Sequence, residues 1–188
     1  MSRAASSAHR DPMARSSFFH RQVVRLSRIR EPRDVLRLIL TTYIVPSNLF
    51  PEWLVYRALK ASGFLVASPC GFSGARIETT DLTVGARSWA NRGVYIEGRG
   101  AVSIGDDVLI GPEVMIITST HERVEDGVRA TASYLPVRIG SHCWLGARVL
   151  VLPGVCIGDG VTVAAGAVVA RDIGPGGLYG GVPARRLT

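Results

Sequence analysis

One histidine of this chain stands in a setting that suits proton transfer. His121 follows the polar run Thr-Ser-Thr that begins at Thr118, inside a segment that departs from the pattern on either side of it. The unperturbed pKa of imidazole lies near neutrality, so a usable fraction of the side chain is unprotonated and can accept a proton and return it. His121 is therefore the candidate general base, and a solvated loop histidine is the alternative.

The residues on both sides of this segment repeat with a period of six. Every sixth residue is aliphatic at Ile139, Leu145, Val151, Ile157, Val163 and Val169. The residue after each of these is small in five of six cases. An inward side chain at every sixth position, followed by a small residue that lets the chain turn, predicts a flat-sided coil of short parallel strands. Four places further along, apolar residues recur in the same rhythm and supply a second inward set.

This periodicity divides the chain into four regions. A mainly β fold, a parallel β-helix of about four and a half coils, is predicted over residues 72–174, with a protruding loop at 117–138 where the repeat is interrupted. Helical spacing of apolar residues predicts short α-helices within 18–71. Residues 1–17 are predicted to be a disordered basic leader, and residues 175–188 a C-terminal tail.

The positive charge is concentrated at one end of the chain. Residues 1–60 hold 11 Lys and Arg against 4 Asp and Glu, whereas residues 61–188 hold 11 of each, so all of the net charge of +7 lies in the first third. This distribution indicates a basic extension on a neutral body, and we expect no nucleic-acid partner. A weak peripheral contact of the basic region with an anionic membrane and a merely solvated charged face are both open.

The cysteines and the apolar segments bear on the cellular location of the protein. Cys70, Cys143 and Cys156 form no C-x-x-C pair, and their odd number argues against a disulfide framework, which predicts a reducing, cytoplasmic location. Cys143 and Cys156 are predicted to be small core residues. The apolar stretch 36–45 is about ten residues long, far short of the roughly twenty that a membrane helix needs.

A narrow coil of this kind offers little concave surface. Binding sites for small molecules are clefts, so the site is expected to form between subunits, and the sequence predicts an oligomer.

The chain resembles the hexapeptide-repeat acyltransferases, and within them the maltose, galactoside and nodulation-factor O-acetyltransferase group. The resemblance covers residues 77–188, and its N-terminal helices resemble those of polysaccharide-modifying members. The motifs that carry it are Asn91, Ile104-Gly-Asp-Asp-Val-Leu-Ile-Gly-Pro, Thr118-Ser-Thr-His121, Pro136-Val-Arg-Ile-Gly, Trp144-Leu-Gly-Ala147, Val151-Leu-Pro-Gly-Val-Cys-Ile-Gly-Asp, Ala165-Gly-Ala and Gly181-Val-Pro-Ala-Arg185. The resemblance implies a left-handed parallel β-helix, a homotrimer, and acetyl-CoA as co-substrate with no metal required.

The same resemblance implies roles for residues on the acceptor side of the reaction. His121 would remove the proton from the acceptor hydroxyl, and Asn91 would orient that hydroxyl. The family often has an acid a few residues after this Asn; here the chain reads Glu97-Gly-Arg99, so either Glu97 substitutes for that acid or the acceptor differs. An Asn that bonds only the backbone is the alternative for Asn91.

Roles on the coenzyme side follow in the same way. The backbone N–H of Ala147 would donate to the thioester oxyanion, Trp144 would line the pantetheine groove, and cations late in the repeat would bind the phosphates. The residues that the resemblance implies for coenzyme A binding are Trp144, Ala147, Ala165, Arg171, Arg185 and Arg186. For Trp144 an exposed residue stabilising a turn is the alternative, and for each arginine a solvated surface charge.

The predicted function is transfer of an acetyl group from acetyl-CoA to a hydroxyl of a sugar or glycoconjugate. An amine or antibiotic (xenobiotic) acetyltransferase is the alternative within the same chemistry. Two weaker alternatives are a non-catalytic β-helix scaffold and a γ-type carbonic anhydrase. The anhydrase site needs three histidines around zinc, whereas the predicted β-helix offers only His121 and His142.

Overall fold

A computed structural model describes residues 32–47 and 49–187. The predicted leader, and the predicted helical region up to residue 31, lie outside these residues. The chain divides into two units, Met1–Val35 and Leu36–Thr188, and the β-helix lies in the second. Two α-helices, Pro32–Ile39 and Glu52–Ala61, are described, with a π-helical turn at Leu40–Ile44. Neither of these helices has the length and apolarity needed to cross a membrane.

The strands that follow the helices are short. In chain order they are β1 (Leu65–Val66), β2 (Cys70–Gly71), β3 (Arg76–Ile77), β4 (Leu82–Val84), β5 (Ser88–Ala90), β6 (Tyr95–Glu97), β7 (Val102–Ile104), β8 (Leu109–Ile110), β9 (Met115–Ile117), β10 (Ser119–Val124), β11 (Gly127–Tyr134), β12 (Val137–Ile139), β13 (Trp144–Leu145), β14 (Leu150–Val151), β15 (Cys156–Ile157), β16 (Thr162–Val163), β17 (Val168–Val169), β18 (Leu178–Gly180) and β19 (Arg185–Arg186).

Successive strands belong to successive faces of a coil. The first sheet has the order β1-β4-β7-β12-β15, the second β19-β18-β16-β13-β8-β5-β2, and the third β17-β14-β9-β6-β3. Pairing within these sheets is parallel, except that β19 runs antiparallel to β18. A separate antiparallel hairpin, β10 with β11, leaves the coil between β9 and β12. The predicted fold class, a parallel β-helix preceded by short helices, is confirmed.

The hexapeptide positions form the core, as the period predicts. The six inward residues from Ile139 to Val169 are each at most 2% exposed, and the second inward set, from Cys143 to Ile173, at most 7%. Close stacking of the coils explains the small residues between them. A Cβ on Gly146 would lie 2.6 Å from the backbone nitrogen of Ala165 in the next coil, so a larger residue would force the coils apart.

The structure corrects both predicted ends of the β-helix. It begins before residue 72, because β1 pairs with β4 and β2 pairs with β5. The predicted tail at 175–188 contributes β18 and β19 to the second sheet, so that sheet holds six parallel strands within the described residues, more than four and a half coils would provide. Both end coils depart from strict six-residue spacing, which is why the period alone did not reveal them.

The cysteines divide between the core and the surface. Cys70 and Cys143 are buried, whereas Cys156 is exposed. The prediction of a core position for Cys156 is wrong because, in β15, the inward residue is its neighbour Ile157. Burial, together with the nearby charge of Glu52, raises the pKa of the Cys70 thiol to about 11.

Candidate active site

The predicted loop is an ordered β-hairpin that carries His121. In β10, His121 lies opposite Ala132 of β11, and the pairing register shifts just after it. The Nδ1 atom of His121 lies 2.9 Å from the carbonyl oxygen of Arg129. Because a carbonyl oxygen only accepts, this contact assigns the proton of the neutral imidazole to Nδ1. Nε2 then keeps its lone pair, which is the form that a general base requires.

The base of the hairpin is fixed by a buried threonine. Thr118 is fully buried; its Oγ1 donates to the carbonyl of Glu97 at 2.8 Å and accepts from the N–H of Gly100 at 3.0 Å. The N–H of Leu135, which follows β11, donates to the carbonyl of Thr118 at 2.8 Å and joins the two ends of the hairpin. Gly98 has a φ of +94°, and a Cβ there would overlap Thr118 Oγ1, so only glycine fits beneath the hairpin.

The carboxylate of Glu97 faces the first residue of the hairpin. Ser119 Oγ lies 2.7 Å and 2.9 Å from its two oxygens, and the Ser119 N–H points to the same group at 3.4 Å. Glu97 thus holds the strand two residues before His121. Its predicted role in binding the acceptor stays a prediction, because the contacts of this carboxylate within the described chain are to the hairpin.

Asn91, Ala147 and Ala165 lie on another corner of the coil, here called the Asn91 corner. Each follows a strand of the second sheet, namely β5, β13 and β16 respectively, and precedes a strand of the third. The Asn91 side chain accepts the N–H of Arg92 at 2.8 Å. This is the backbone contact considered as an alternative, and it leaves the Asn91 side-chain NH₂ group available.

Two backbone donors of this corner have no partner among the described residues, whereas the N–H of Asn91 donates to the Ile110 carbonyl at 2.9 Å. Within the part of the chain that the structure describes, the N–H groups of Ala147 and Ala165 donate to no other residue, whereas those of Gly146 and Gly166 donate to carbonyls at 2.8 Å. An unpaired N–H at a partly exposed turn is available to a ligand oxygen and costs no reorganisation. Ala147 therefore has the free donor that its predicted oxyanion role requires.

An open groove of about 550 Å³ adjoins the Asn91 corner. Asn91 and Arg92 lie along it, with Trp89 and Leu109 from the second sheet and Glu52 from the second helix. Partial burial raises the pKa of Glu52, and the backbone of Ser73 opposes that rise. The groove combines an exposed aromatic ring with a carboxylate, an amide and a guanidinium.

Glu52 is one of the groove residues that the sequence analysis missed, with Trp89 and Arg92. It is the first residue of the helix Glu52–Ala61, and the helical spacing of its neighbours says nothing about Asn91. The acid after Pro51 at a helix start was visible in the sequence, but its proximity to Asn91 depends on how the helix packs on the coil.

The predicted coenzyme-binding side chains are distributed over two sheets. Trp144 is exposed on the second sheet between Leu109 and Thr162 of the neighbouring coils. Arg185 and Arg186 form β19 at the edge of that same sheet. Arg171 lies outside that sheet, after β17 of the third. The structure therefore brings Trp144, Arg185 and Arg186 onto one sheet and leaves Arg171 outside it.

The base and the oxyanion donor do not meet within one chain. His121 belongs to the hairpin that leaves between the third and first sheets, whereas Ala147 lies between the second and third. Among the described residues there is no group of three His, Cys, Asp or Glu able to hold a metal ion.

Comparisons of the sequence with known proteins find a hexapeptide-repeat family model and similar acetyltransferases. Residues 136–171 match the sequence model of the family described as bacterial transferase hexapeptide (six repeats). The chain is 35% identical to galactoside O-acetyltransferase of Escherichia coli K12, over 56% of this chain and 53% of that protein. It is 41% identical to nodulation protein L of Rhizobium meliloti, over 56% of this chain and 58% of that protein. The chain thus spans little more than half the length of these two relatives.

A solved structure extends the likeness to the three-dimensional fold. The hexapeptide-repeat acetyltransferase of Vibrio cholerae, crystallised with acetyl coenzyme A, has a TM-score of 0.65 and 28% identity, over 83% of this chain and 84% of that one. The resemblance predicted from the sequence is therefore confirmed: this chain contains the hexapeptide repeats of the bacterial transferase family, in a β-helix shared with acetyltransferases.

Proposed function

We propose that this protein transfers an acetyl group from acetyl-CoA to a hydroxyl of a sugar or glycoconjugate. The observation that carries the proposal is the 2.9 Å contact between His121 Nδ1 and the Arg129 carbonyl. It fixes the tautomer in which Nε2 is free to accept a proton. The names of the relatives, a galactoside O-acetyltransferase and an acetyltransferase bound to acetyl coenzyme A, support the same chemistry.

Each requirement of acyl transfer has a candidate group among the described residues. His121 Nε2 removes the proton of the acceptor hydroxyl as its oxygen attacks the thioester carbonyl carbon. The free N–H of Ala147 donates to the oxyanion that develops there. When the carbon–sulfur bond breaks, the imidazolium returns its proton to the departing thiolate, so acetylated acceptor and free coenzyme A leave with the protein unchanged.

The groove at the Asn91 corner supports a sugar as the acceptor. Trp89 offers a flat apolar surface, and Glu52 and Asn91 offer polar atoms to hydroxyl groups. Sites of this kind orient a ring through a few placed polar groups on an apolar floor. The alternative acceptor, an amine, stays open where the groove alone is considered.

The separation of His121 from Ala147 supports a site shared between copies of this chain. We propose the homotrimer that the resemblance implies, with the hairpin of one copy facing the Asn91 corner of the next. Trp144, Ala165, Arg185 and Arg186 would bind the coenzyme along the second sheet, with Arg171 reaching it from a neighbouring copy. We also propose the cytoplasmic location that the cysteines predict.

The test is thiol release from acetyl-CoA with a panel of sugars, glycosides, aminoglycosides and chloramphenicol. We expect turnover with sugar acceptors, and a loss of at least about a hundredfold in His121→Ala. His142→Ala is the matched control, because His142 is an exposed histidine of the same β-helix whose Nδ1 lies 3.6 Å from Asp107. Turnover confined to amines would replace the sugar by the alternative acceptor, and an undiminished rate in His121→Ala would remove the assigned base.

A further inference from the structure

Arg92 places a positive charge in the groove that acetyl transfer itself does not use. It is exposed and lines the groove beside Asn91 and Trp89. Among the described residues, no carboxylate lies within ion-pair distance of its guanidinium. Other arginines of the turns do have such partners, as Arg87 does with Asp107 of the next coil.

The acid stacked next to Arg92 is already engaged elsewhere. The N–H of Glu113, on the adjacent coil, donates to the Arg92 carbonyl at 3.0 Å, so the two turns are in contact through their backbones. The Glu113 carboxylate, however, accepts from Arg148 Nε at 2.6 Å on the following coil. That bond lowers the pKa of Glu113, and the Glu113 carboxylate forms its ion pair with Arg148 and none with Arg92. The Arg92 guanidinium is therefore available to a ligand in the groove.

A guanidinium selects a particular kind of ligand group. Its planar donors match the two oxygens of a carboxylate or the oxygens of a phosphate, and such charge-assisted pairs are stronger than bonds between neutral groups. Glu52, the acid that lines the same groove, is the one placed to accept hydroxyl groups. A neutral sugar would satisfy Glu52 and Asn91 but would leave the Arg92 charge paired only with water.

We propose that the acceptor is an anionic sugar, whose carboxylate or phosphate binds Arg92 while its ring lies on Trp89. The inference rests on the proposed function for the reaction, and on the groove alone for binding. It assigns to Arg92 the selection of acidic over neutral acceptors of the same ring.

Binding is measured first, by ligand-observed NMR titration of the full chain with methyl galactoside, methyl galacturonate and galactose 6-phosphate. We expect wild type to bind at least one of the two anionic sugars about tenfold or more tightly than the neutral one. Whichever of the two is preferred identifies carboxylate or phosphate as the anion. In Arg92→Gln the preference should fall to within about twofold, and Arg92→Lys should restore part of it.

Arg99→Gln is the matched control. Arg99 is an exposed arginine outside the groove lining, with its guanidinium 5.8 Å from the centre of the Tyr134 ring. This variant should keep the full preference for the anionic sugar. A wild type without preference, a preference unchanged in Arg92→Gln, or a preference lost equally in Arg99→Gln would each overturn the assignment.

Turnover separates this inference from the proposed function. If wild type acetylates neutral and anionic sugars alike, and His121→Ala does not, acetyl transfer stands and the role of Arg92 fails. If no acceptor is acetylated but the NMR preference depends on Arg92, the groove assignment stands and the proposed reaction fails.

Discussion

The β-helix body and the hairpin that carries His121 are held in place by different interactions. The body buries an aliphatic side chain at every hexapeptide position, whereas the hairpin strands β10 and β11 are almost entirely exposed. The hairpin is attached through polar contacts at its base, chiefly those of Thr118 and of Glu97 with Ser119. The position of His121 is therefore separable from the stability of the fold, and changes in the two regions should have different consequences.

The largest expected difference in stability is between core and hairpin side chains of similar kind. Leu145, fully buried in the second sheet, should cost about 2 to 5 kcal/mol of unfolding free energy when changed to Ala. Val128, 61% exposed in β11, should cost no more than about 0.5 kcal/mol when changed to Ala. Urea unfolding of both variants measures the contrast. Equal losses would show that the hairpin packs as tightly as the body.

The second prediction tests the proposal that the two regions combine between copies. His121→Ala and Asn91→Ala should each be nearly inactive alone. When the two variants are unfolded and refolded together in equal amounts, some sites should pair an intact hairpin with an intact Asn91 corner, and activity should recover to about a quarter of wild type. Co-refolding of each variant with wild type supplies the calibration. A site contained within one chain would show no recovery, since every site would carry one of the two changes.

A smaller effect is expected at the hairpin base. Glu97→Gln keeps the size of the side chain and weakens a charge-assisted contact with Ser119, so kcat should fall by about tenfold while the unfolding free energy changes by less than about 1 kcal/mol. Glu125→Gln, an exposed acid at the hairpin tip, is the control and should behave as wild type. If Glu97 instead binds the acceptor, the change would appear in the KM for the sugar with kcat preserved.

The smallest expected effect is electrostatic and belongs to the turns of the body. Arg148 and Arg87 lower the pKa values of Glu113 and Asp107 respectively. A carboxyl group whose pKa is lowered by folding adds stability above its unfolded pKa and loses it as the pH falls through the folded one. The urea midpoint should therefore drop slightly from pH 7 to pH 3, and Glu113→Gln should reduce that slope. Both pairs are solvent-exposed, so high salt should weaken the effect.

The placement of a site residue that the structure bears out is one with a local signal. The Thr-Ser-Thr-His run interrupts a strict repeat, so His121 could be assigned to a protrusion from the sequence alone. The hairpin structure of that protrusion, and the Arg129 carbonyl that fixes the tautomer, depend on cross-strand pairing between residues that share no pattern. Glu52 was not predicted because its place in the groove depends on how the helix packs on the coil, which is also a relation between residues that share no pattern.

The sequence by itself determined the β-helix body, because each hexapeptide specifies one inward side chain and one turn, and identical units can only stack. It also determined the candidate base and the relatedness to hexapeptide transferases. Tertiary structure alone decided that Asn91, Ala147 and Ala165 lie on one corner, that the N–H of Ala147 has no partner in the described chain, and that Arg92 faces the groove. These facts follow from which coil lies on which, a relation between residues distant in the chain.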